Sequence, residues 1–459
     1  MRLKVSSLSA VYNRDLRIEF GAEKLSSYGG LELLSRFFRS LDLAARLRES
    51  LRGTGAEGGD YGAARFALIV IGLLVVGARR LEHVRFVSHD LLFRRFCGLV
   101  RIPSERTVVN WLKTFTRRSL AALTALIHEL VCDDIDFLGL RRLTIDLDGS
   151  VIRTGGQVAW AVRGYNPHHP KDPSYYPILA HLAETGQIVR LKNRPGNVVD
   201  STGARRFLLD LVTALRGRFG RSMPLDFRMD AAFFKEDILK LLPRLGCHFA
   251  IKVPFWKWLG LKDVVAAQKT WTPIRPGIDA FETRLPVKQW KLELRVVVYR
   301  KRVHHDTAKN FQLDLFSPDN GTFEYSAVTT DKPLAPKALW DFAAGRGAQE
   351  KTFGELKGEF ALDVIPTNHY GANSAWMQLS ILAHNLIRSF QLRSAIAEPH
   401  AASAKRTYAY RILSMKTLRF LLVARAARLA RISGRQVLRF AANDPTKSLY
   451  DRVARALAA

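Results

Sequence analysis

The stretch between residues 142 and 253 constrains the fold most, because its apolar spacing changes repeatedly between that of a strand and that of a helix. A candidate strand at residues 142–147 is followed by two more, at 176–182 and 188–192, which flank the turn sequence ETGQ and predict an antiparallel hairpin. Helices and strands are then predicted in alternation, at residues 201–215, 225–229, 238–245 and 248–253. This order predicts an α/β fold with a mixed sheet and flanking helices.

The rest of the chain has different patterns. Residues 1–137 have helical apolar spacing, and the apolar run at residues 66–78 is too short to span a bilayer, so we expect a buried core helix there. Residues 254–325 contain short strands rich in Trp and Lys, which predicts a β-rich insertion, and residues 326–400 return to a strand followed by helices. Residues 401–459 carry 13 Lys and Arg against 2 acids. A basic helical tail is predicted there, with one stripe of cations formed by Arg428, Arg431, Arg435 and Arg439.

The charge of the chain favours a polyanionic partner. Its formal net charge is +29 and its isoelectric point is about 10.4, an excess that concentrates polyanions at a protein surface. A basic protein without a nucleic-acid partner and a protein that binds acidic lipids are the alternatives, but the spread of charge along the whole chain favours nucleic acid. The three cysteines are far apart, which argues against a disulfide framework and a cysteine zinc site. With no apolar signal segment at the N-terminus, we expect a cytoplasmic protein.

The sequence IPSERTVVNWLKTFTRR, at residues 102–118, predicts a short amphipathic helix that begins at Glu105 with Ser104 as its N-cap. The apolar face consists of Val108, Leu112 and Phe115. The opposite, polar face carries Arg106, Asn110, Lys113 and Arg117. Such a helix fits a DNA major groove, as in a helix-turn-helix unit, and its candidate DNA contacts are Arg106, Asn110 and Lys113. A surface helix with a solvated polar face explains the same pattern equally well.

Two carboxylates lie two residues apart in the sequence IDLDGS. In a strand, Asp146 and Asp148 point to one face, where they repel each other unless a cation lies between them. A hairpin turn at Asp148-Gly149 is the alternative. A third acid, Asp230, ends the apolar strand at residues 225–229, at the edge where α/β sheets place ligands. Asp230 as an N-cap of the next helix is the alternative there.

The sequence GRGAQEKTFGELK contains a carboxylate between two cations. In a helix, Arg346, Glu350 and Lys357 lie within about 40° of one another around the axis. A carboxylate flanked by cations suits a site that holds a metal ion and grips a phosphate, whereas a solvated charged helix is the alternative. Three converging carboxylates are what two-metal phosphodiester chemistry requires, with the two ions about 3.5–4 Å apart.

Together these motifs resemble the DDE transposases of bacterial insertion sequences, group 1, over roughly residues 25–392. In that family the first catalytic Asp is followed two residues later by Ser or Thr, as Asp148 is by Ser150, and the second matches Asp230 in RMDAAF. The final motif, Y-x2-R-x3-E-x6-K, matches at Arg346, Glu350 and Lys357 but has Ala343 at the tyrosine position. The stretches GYNPHHPKDPSYYPILAHLAETGQIV, RPGN and GANSAWMQLSILAHNLI also resemble the family.

The resemblance implies a fold, a reaction and partners. The fold would be a ribonuclease-H-like core at residues 138–253 and 326–400, interrupted by the insertion at 254–325, with a helical DNA-binding region at 1–137 and the basic tail at 401–459. The catalytic and metal-binding residues would be Asp148, Asp230 and Glu350, which would bind Mg²⁺ or, in its place, Mn²⁺. Phosphate contacts would come from Arg346 and Lys357.

The implied reaction is cut-and-paste transposition. The partners would be double-stranded DNA, namely terminal inverted repeats and target DNA, and a second copy of the chain in a homodimer, with no membrane. The implied location is the bacterial cytoplasm, at the nucleoid. If a DNA hairpin forms, an aromatic ring would hold an extruded base; the candidates, which would otherwise be core aromatics, are Trp256, Trp258, Trp271 and Trp290. A metal nuclease or resolvase without strand transfer, and a catalytically silent DNA-binding protein derived from a transposase, are the alternative functions.

Overall fold

The computed structural model describes residues 16, 18–21, 23–164, 166, 169–303, 322–400 and 409–458. Parts of the predicted N-terminal region, insertion and tail therefore lie outside the described residues. The helices are α1 Leu31–Ser40, α2 Leu43–Leu51, α3 Ala63–Val76, α4 Val84–Val87, α5 Leu91–Cys97, α6 Glu105–Lys113, α7 Arg117–Phe137, α8 Ala204–Phe219, α9 Glu236–Arg244, α10 Leu261–Ala267, α11 Pro336–Ala344, α12 Gly347–Phe360, α13 Tyr370–Arg393, α14 Met415–Leu418 and α15 Asp444–Ala456.

The strands are β1 Leu25–Ser26, β2 Leu143–Gly149, β3 Ile152–Arg153, β4 Ser174–Tyr175, β5 Ile178–Leu182, β6 Gln187–Lys192, β7 Leu225–Met229, β8 His248–Lys252, β9 Thr272–Arg275, β10 Ile278–Val287, β11 Leu292–Arg302, β12 Phe323–Thr330, β13 Glu398–Pro399, β14 Tyr410–Arg411, β15 Ala427–Ile432 and β16 Arg435–Phe440. Nine of them form one sheet in the order β6-β5-β2-β7-β8-β12-β11-β10-β9. β2, β7 and β8 are parallel, and the other neighbours are antiparallel. The prediction of a mixed sheet with flanking helices is confirmed.

Helices cover both faces of this sheet, although its central strands β2 and β7 are apolar on one face and carry buried polar side chains such as Asp146 and Arg228 on the other. Leu143, Ile145 and Leu147 of β2 are fully buried in a core that they share with α8 and α9. The other face packs against α13, which is buried along nearly its whole length. This second core continues into α3, so the helices before the sheet and the sheet itself share apolar packing.

Several sequence predictions in the N-terminal half are confirmed. The apolar run at residues 66–78 forms most of α3, and its side chains are buried. Helix α6 begins at Glu105, and the Ser104 side chain accepts a hydrogen bond from the Thr107 amide.

No helix in the described part of the chain has the length and apolar character needed to cross a bilayer. The three cysteines are buried free thiols.

The strands of the predicted insertion extend the central sheet. β12 pairs with β8, and β11, β10 and β9 follow outward from it. The α/β pattern is interrupted in sequence at residues 254–325, but the backbone hydrogen bonding of the sheet continues through these strands. Sequence periodicity detects a strand and carries no information about which edge it joins.

The prediction of a helical tail is wrong for residues 427–440, which form the antiparallel hairpin β15–β16. Ser433 and Gly434 connect the two strands, and both have positive φ, 48° and 77°, which is the backbone of a two-residue hairpin turn. The arginine spacing is compatible with a helix, but the Ser-Gly turn and the β-favouring side chains on either side of it outweigh that spacing. Residues 401–408 of the predicted tail lie outside the described residues.

Candidate active site

Asp148 lies at the carboxyl end of β2. Pairing of β2 with β5 continues through Gly149 and Ile178, so the alternative of a turn at Asp148-Gly149 is wrong. Carboxylate Oδ2 of Asp148 lies 2.6 Å from Nη2 of Arg346. The strand thus ends with a carboxylate that is paired with a guanidinium from another element.

Asp230 directly follows β7, the parallel neighbour of β2, so both acids lie at the same edge of the sheet. Its Oδ1 accepts a hydrogen bond from the Ala232 amide at 3.1 Å, and its Oδ2 is 4.0 Å from Nη2 of Arg346. The N-cap alternative for Asp230 therefore holds for a short 3-10 turn at Ala231–Phe233. The same side chain also faces the guanidinium that Asp148 contacts.

The prediction that Arg346, Glu350 and Lys357 share one helix is wrong for Arg346, because the chain leaves the helical conformation at Gly345–Arg346, between α11 and α12; Glu350 and Lys357 both lie on α12. Arg346 precedes the first residue of α12 and points to the two aspartates. Farther along α12, Lys357 Nζ donates to the carbonyl of Val151 at 3.2 Å, just beyond β2. Both predicted phosphate contacts therefore lie beside the end of β2.

Glu350 is exposed and is not in ligand contact with the two aspartates. It lines an open cavity of about 380 Å³ that Arg346, Lys252 and Lys301 also line. The structure thus brings Asp148, Asp230 and Arg346 together and places Glu350 on the adjoining cavity wall. Helical spacing puts Glu350 on the same side of α12 as Lys357.

Asp146 belongs to a buried network that positions these elements. The guanidinium of Arg228 on β7 contacts its carboxylate through Nε at 2.6 Å and Nη2 at 2.8 Å. His181 on β5 lies 3.1 Å from the same carboxylate and 3.2 Å from the Thr352 hydroxyl of α12. The network therefore ties three strands to the helix that begins beside Arg346. Asp146 has no exposed surface, so we interpret it as a positioning residue.

Asp200 also lies at this edge, and sequence reasoning missed it. Its Oδ2 accepts a hydrogen bond from the Tyr176 hydroxyl at 2.8 Å. A Cβ added to Gly149 would lie 2.1 Å from its Oδ1, so the glycine after Asp148 allows this close approach. Arg194, in the RPGN motif, holds the loop by donating to the carbonyls of Val199, Asp200 and Thr202. The motif signals an ordered loop, but nothing in its local spacing indicates which residue of the loop reaches the site.

The electrostatics of the site favour uptake of a cation. Burial raises the pKa of Asp148 to about 7; Arg346 opposes this shift, and Asp230 and Asp200 add to it. Burial also raises the pKa of Asp200. Burial lowers the pKa of Lys357, while Asp363 and Asp148 oppose that shift. The acids therefore repel one another, and one guanidinium offsets the charge only in part.

The donor set fits a hard divalent cation. Carboxylate oxygens are the ligands that Mg²⁺ and Mn²⁺ prefer. Asp200 Oδ1 is buried and has no hydrogen-bond partner among the described residues. In the same part of the chain, no three His, Cys, Asp or Glu side chains stand close enough together to hold a metal ion as they are placed. For a metal ion to bind between Asp148 and Asp230, the Arg346 guanidinium, now 2.6 Å from Asp148, would have to move away.

The predicted DNA-contact residues of α6 are exposed. Arg106, Asn110 and Lys113 lie on the solvent side, while Val108 and Leu112 are fully buried. Trp111 anchors the helix, because its ring stacks on Phe66 and its indole N–H donates to the Ala56 carbonyl at 3.0 Å. The polar face does not extend to Arg117, which belongs to α7; the prediction of one helix over residues 105–117 is wrong in that respect, because the chain turns at Thr114–Thr116.

The tryptophans of the predicted insertion differ in their environment. Trp256 stacks on Trp258 with ring centroids 5.7 Å apart, and Trp258 contacts Trp290 at 5.4 Å. These three rings line a cleft of about 1020 Å³ together with Arg205, Lys235, Lys240, Arg244 and Lys257. Trp271 lies elsewhere, packed edge-on against Phe281 and beneath the guanidinium of Arg300. Aromatic rings and cations together are the components of a binding site for an unpaired base.

Comparison with known proteins places the chain in a family. A cryo-EM structure of the piggyBac transposase synaptic complex with hairpin DNA is 12% identical to this chain with a TM-score of 0.46, over 94% of this chain and 85% of that one. No curated protein sequence matches the chain significantly. The family model for the group 1 transposase DDE domain matches residues 8–459, almost the whole chain. The chain therefore belongs to the group 1 DDE transposases and is a DNA transposase, an enzyme that cleaves DNA and transfers its strands.

Proposed function

We propose that Asp148, Asp230 and Glu350 are the catalytic carboxylates and that they hold Mg²⁺, with Mn²⁺ as a substitute. The observation that carries this proposal is the meeting of Asp148 and Asp230 around Arg346 at the ends of two parallel strands. Bound divalent ions would activate the attacking hydroxyl and stabilise the leaving oxygen of the phosphodiester. Glu350, on the next turn of α12, completes the set when its side chain turns from the cavity toward the aspartates.

The chain's own cations would hold the DNA during this reaction. Arg346 and Lys357 flank the end of β2, and the cavity that Arg346 and Glu350 line also exposes Lys252 and Lys301. A phosphate in this cavity lies among three positive side chains and beside the proposed catalytic acids. The guanidinium is the stronger phosphate contact because it donates two parallel hydrogen bonds.

Asp200 is proposed as a fourth acid of this centre, either as a ligand or as a support for one. Its support is the buried, unpartnered Oδ1 next to the residue that follows Asp148. Asp200→Asn should reduce the rise in melting temperature that Mg²⁺ or Mn²⁺ causes. Asp210→Asn is the matched control, because Asp210 pairs with Arg190 and Arg206 away from the site. If Mg²⁺ and Mn²⁺ raise the melting temperature of Asp200→Asn as much as that of wild type, the role of Asp200 is limited to accepting the hydrogen bond from Tyr176.

The decisive experiment compares cleavage and strand transfer with Mg²⁺ on DNA that carries the element's own ends. Asp148→Asn, Asp230→Asn and Glu350→Gln should each abolish both steps while largely sparing binding of the ends. Glu324→Gln is the control, because Glu324 lines the same cavity as Glu350 and has no proposed role. Near wild-type activity in Glu350→Gln would remove it from the catalytic set.

The same experiment separates the alternative functions. A metal nuclease or resolvase of this family would cleave without joining the 3′-hydroxyl to a target, and a silent derivative would bind the ends without cleaving them. The meeting of the two aspartates supports the active transposase. We propose cut-and-paste transposition in the cytoplasm, at the nucleoid, with α6 reading the terminal repeats, the tryptophan cleft receiving an unpaired base and two copies of the chain pairing the ends.

A further inference from the structure

The hairpin β15–β16 presents three arginines on one face. Arg428 and Arg439 are directly opposite each other, and Ile432 pairs with Arg435 at the turn. Because side chains alternate between the faces of a strand, Arg428, Arg435 and Arg439 share one face with Ala430, Ile432 and Val437. All three arginines are exposed. We call this surface the arginine face, and Arg431 belongs to the opposite face.

The opposite face anchors the hairpin to the protein. The Phe440 ring packs edge-on against Tyr450 of α15 at 4.8 Å, and the Tyr450 hydroxyl donates to the Leu422 carbonyl at 2.6 Å. On the other edge of β15, the Leu429 amide donates to the Lys24 carbonyl at 2.9 Å, and β1 pairs with the strand. The arginine face is therefore presented by a fixed three-stranded sheet.

The charge of the arginine face is not compensated within the described part of the chain. None of its three guanidinium groups is in an ion pair with an Asp or Glu there, whereas Arg228, Arg346 and Arg419 each pair with an acid. Arg428 and Arg439 also stand directly across from each other, where like charges destabilise a strand pair. An anionic partner that lies across the hairpin would remove this repulsion and gain two charge-assisted contacts.

We propose that the arginine face binds the phosphate backbone of double-stranded DNA. The proposal rests on the proposed function, because a transposase must hold DNA beyond the site of cleavage. Arg428 lies on β15, and Arg435 and Arg439 lie on the neighbouring strand β16, so their guanidinium groups form one exposed basic surface that can donate hydrogen bonds to phosphate oxygens. Contacts to phosphates carry no sequence information, so this contact adds affinity that does not depend on sequence.

The test compares two variants of the full-length chain. One replaces Arg428, Arg435 and Arg439 by Gln. The matched control is Arg431→Gln, in which the lost guanidinium belongs to the anchored face and donates to the Gly434 carbonyl at 3.3 Å. Binding of random double-stranded DNA is measured over a range of NaCl. The slope of log affinity against log salt should fall by about 0.9 for each lost phosphate contact, or about 2.7 for three, and should stay near wild type in the control.

The possible results of this test either support or overturn the proposed role of the arginine face. An unchanged slope in the folded triple variant overturns the inference, and so does a loss of binding to vesicles of anionic lipid with DNA binding intact. If the triple variant melts at a lower temperature than wild type, the single Arg439→Gln variant decides, with an expected decrease in slope of about 0.9. A wild-type chain that does not bind DNA would contradict the proposed function itself, whereas a steep wild-type slope that the triple variant retains contradicts only the role of the arginine face.

Discussion

Asp146 and Asp148 lie two residues apart on the same face of β2, and we expect their substitution by Asn to have opposite consequences. Asp146 is fully buried and is held by Arg228, whose side chain is 7% exposed, and by His181. Asp148 is 24% exposed and its pKa is raised to about 7. The first carboxylate therefore stabilises the fold in its ionised form, and the second destabilises the metal-free protein once it is ionised.

The loss of stability in Asp146→Asn can be estimated from the contacts of Asp146. Burial opposes ionisation of Asp146, but the hydrogen bond from His181 and the charge of Arg228 hold the pKa of its carboxyl below the usual value. Asp146→Asn leaves the Arg228 guanidinium buried without its counter-charge, which costs about 3–5 kcal/mol. At about 1 °C per kcal/mol for a chain of 459 residues, the melting temperature should fall by roughly 3–5 °C. Asp148→Asn removes a carboxylate that burial disfavours, so its melting temperature at pH 8 should not fall.

The assay measures thermal unfolding and Mg²⁺-dependent end cleavage for both variants at one pH. Asp146→Asn should retain cleavage at a temperature at which it is fully folded, and Asp148→Asn should be inactive at every temperature. The opposite pattern, with a stable but inactive Asp146→Asn and an active Asp148→Asn, would move the catalytic role to Asp146. Equal stability of the two variants would refute the argument from burial and pairing.

Four further outcomes are expected. The folded protein binds the proton of Asp148 more tightly than the unfolded chain does, so the metal-free protein should lose stability as the pH rises from about 4 toward 7. Mg²⁺ affinity by calorimetry should increase about tenfold between pH 6 and pH 8, and a flat profile would show that Asp148 carries no proton there. Asn110→Ala should weaken binding to the element's own ends more than to random DNA, and equal losses would reduce α6 to a phosphate contact. Trp258→Ala should cost about 1–3 kcal/mol in binding DNA with an unpaired terminal base and leave duplex binding unchanged; equal effects would make the aromatic cleft structural.

The sequence predicts the parts of this site that depend on local order along the chain. Asp230 was predicted because it ends an apolar strand at the edge where α/β sheets place ligands. Asp148 was preferred to Asp146 because the family has Ser or Thr two residues after its first catalytic Asp. Arg346 and Lys357 were predicted from their spacing with Glu350 on one helix, and of these three only Arg346 lies outside α12.

The same reasoning could not predict contacts between segments that are distant in the sequence. Asp200 reaches the site because Arg194 holds its loop, and no periodic pattern connects that loop to Asp148. The pattern IDLD shows two carboxylates on one face but does not reveal that Arg228, from a strand 82 residues later, neutralises the first. In the tail, the spacing of the arginines predicted a helix, but residues 427–440 form a hairpin whose turn is Ser433-Gly434. In each of these cases, contacts with segments far away in the sequence determine the structure, and local patterns do not indicate them.

Under the proposed function, Arg346 would connect metal binding with DNA binding, because one guanidinium would serve both. In this structure it lies 2.6 Å from Asp148 and offsets part of the repulsion between the acids. A divalent cation held by the aspartates would supply that positive charge, so the guanidinium could move away without leaving two uncompensated carboxylates. The adjoining cavity, with Ala343 where the family has tyrosine, has room for the guanidinium beside Lys252 and Lys301. Metal binding would therefore free Arg346 to contact a phosphate, so the proposed site would hold its DNA most firmly when the metal needed for cleavage is present.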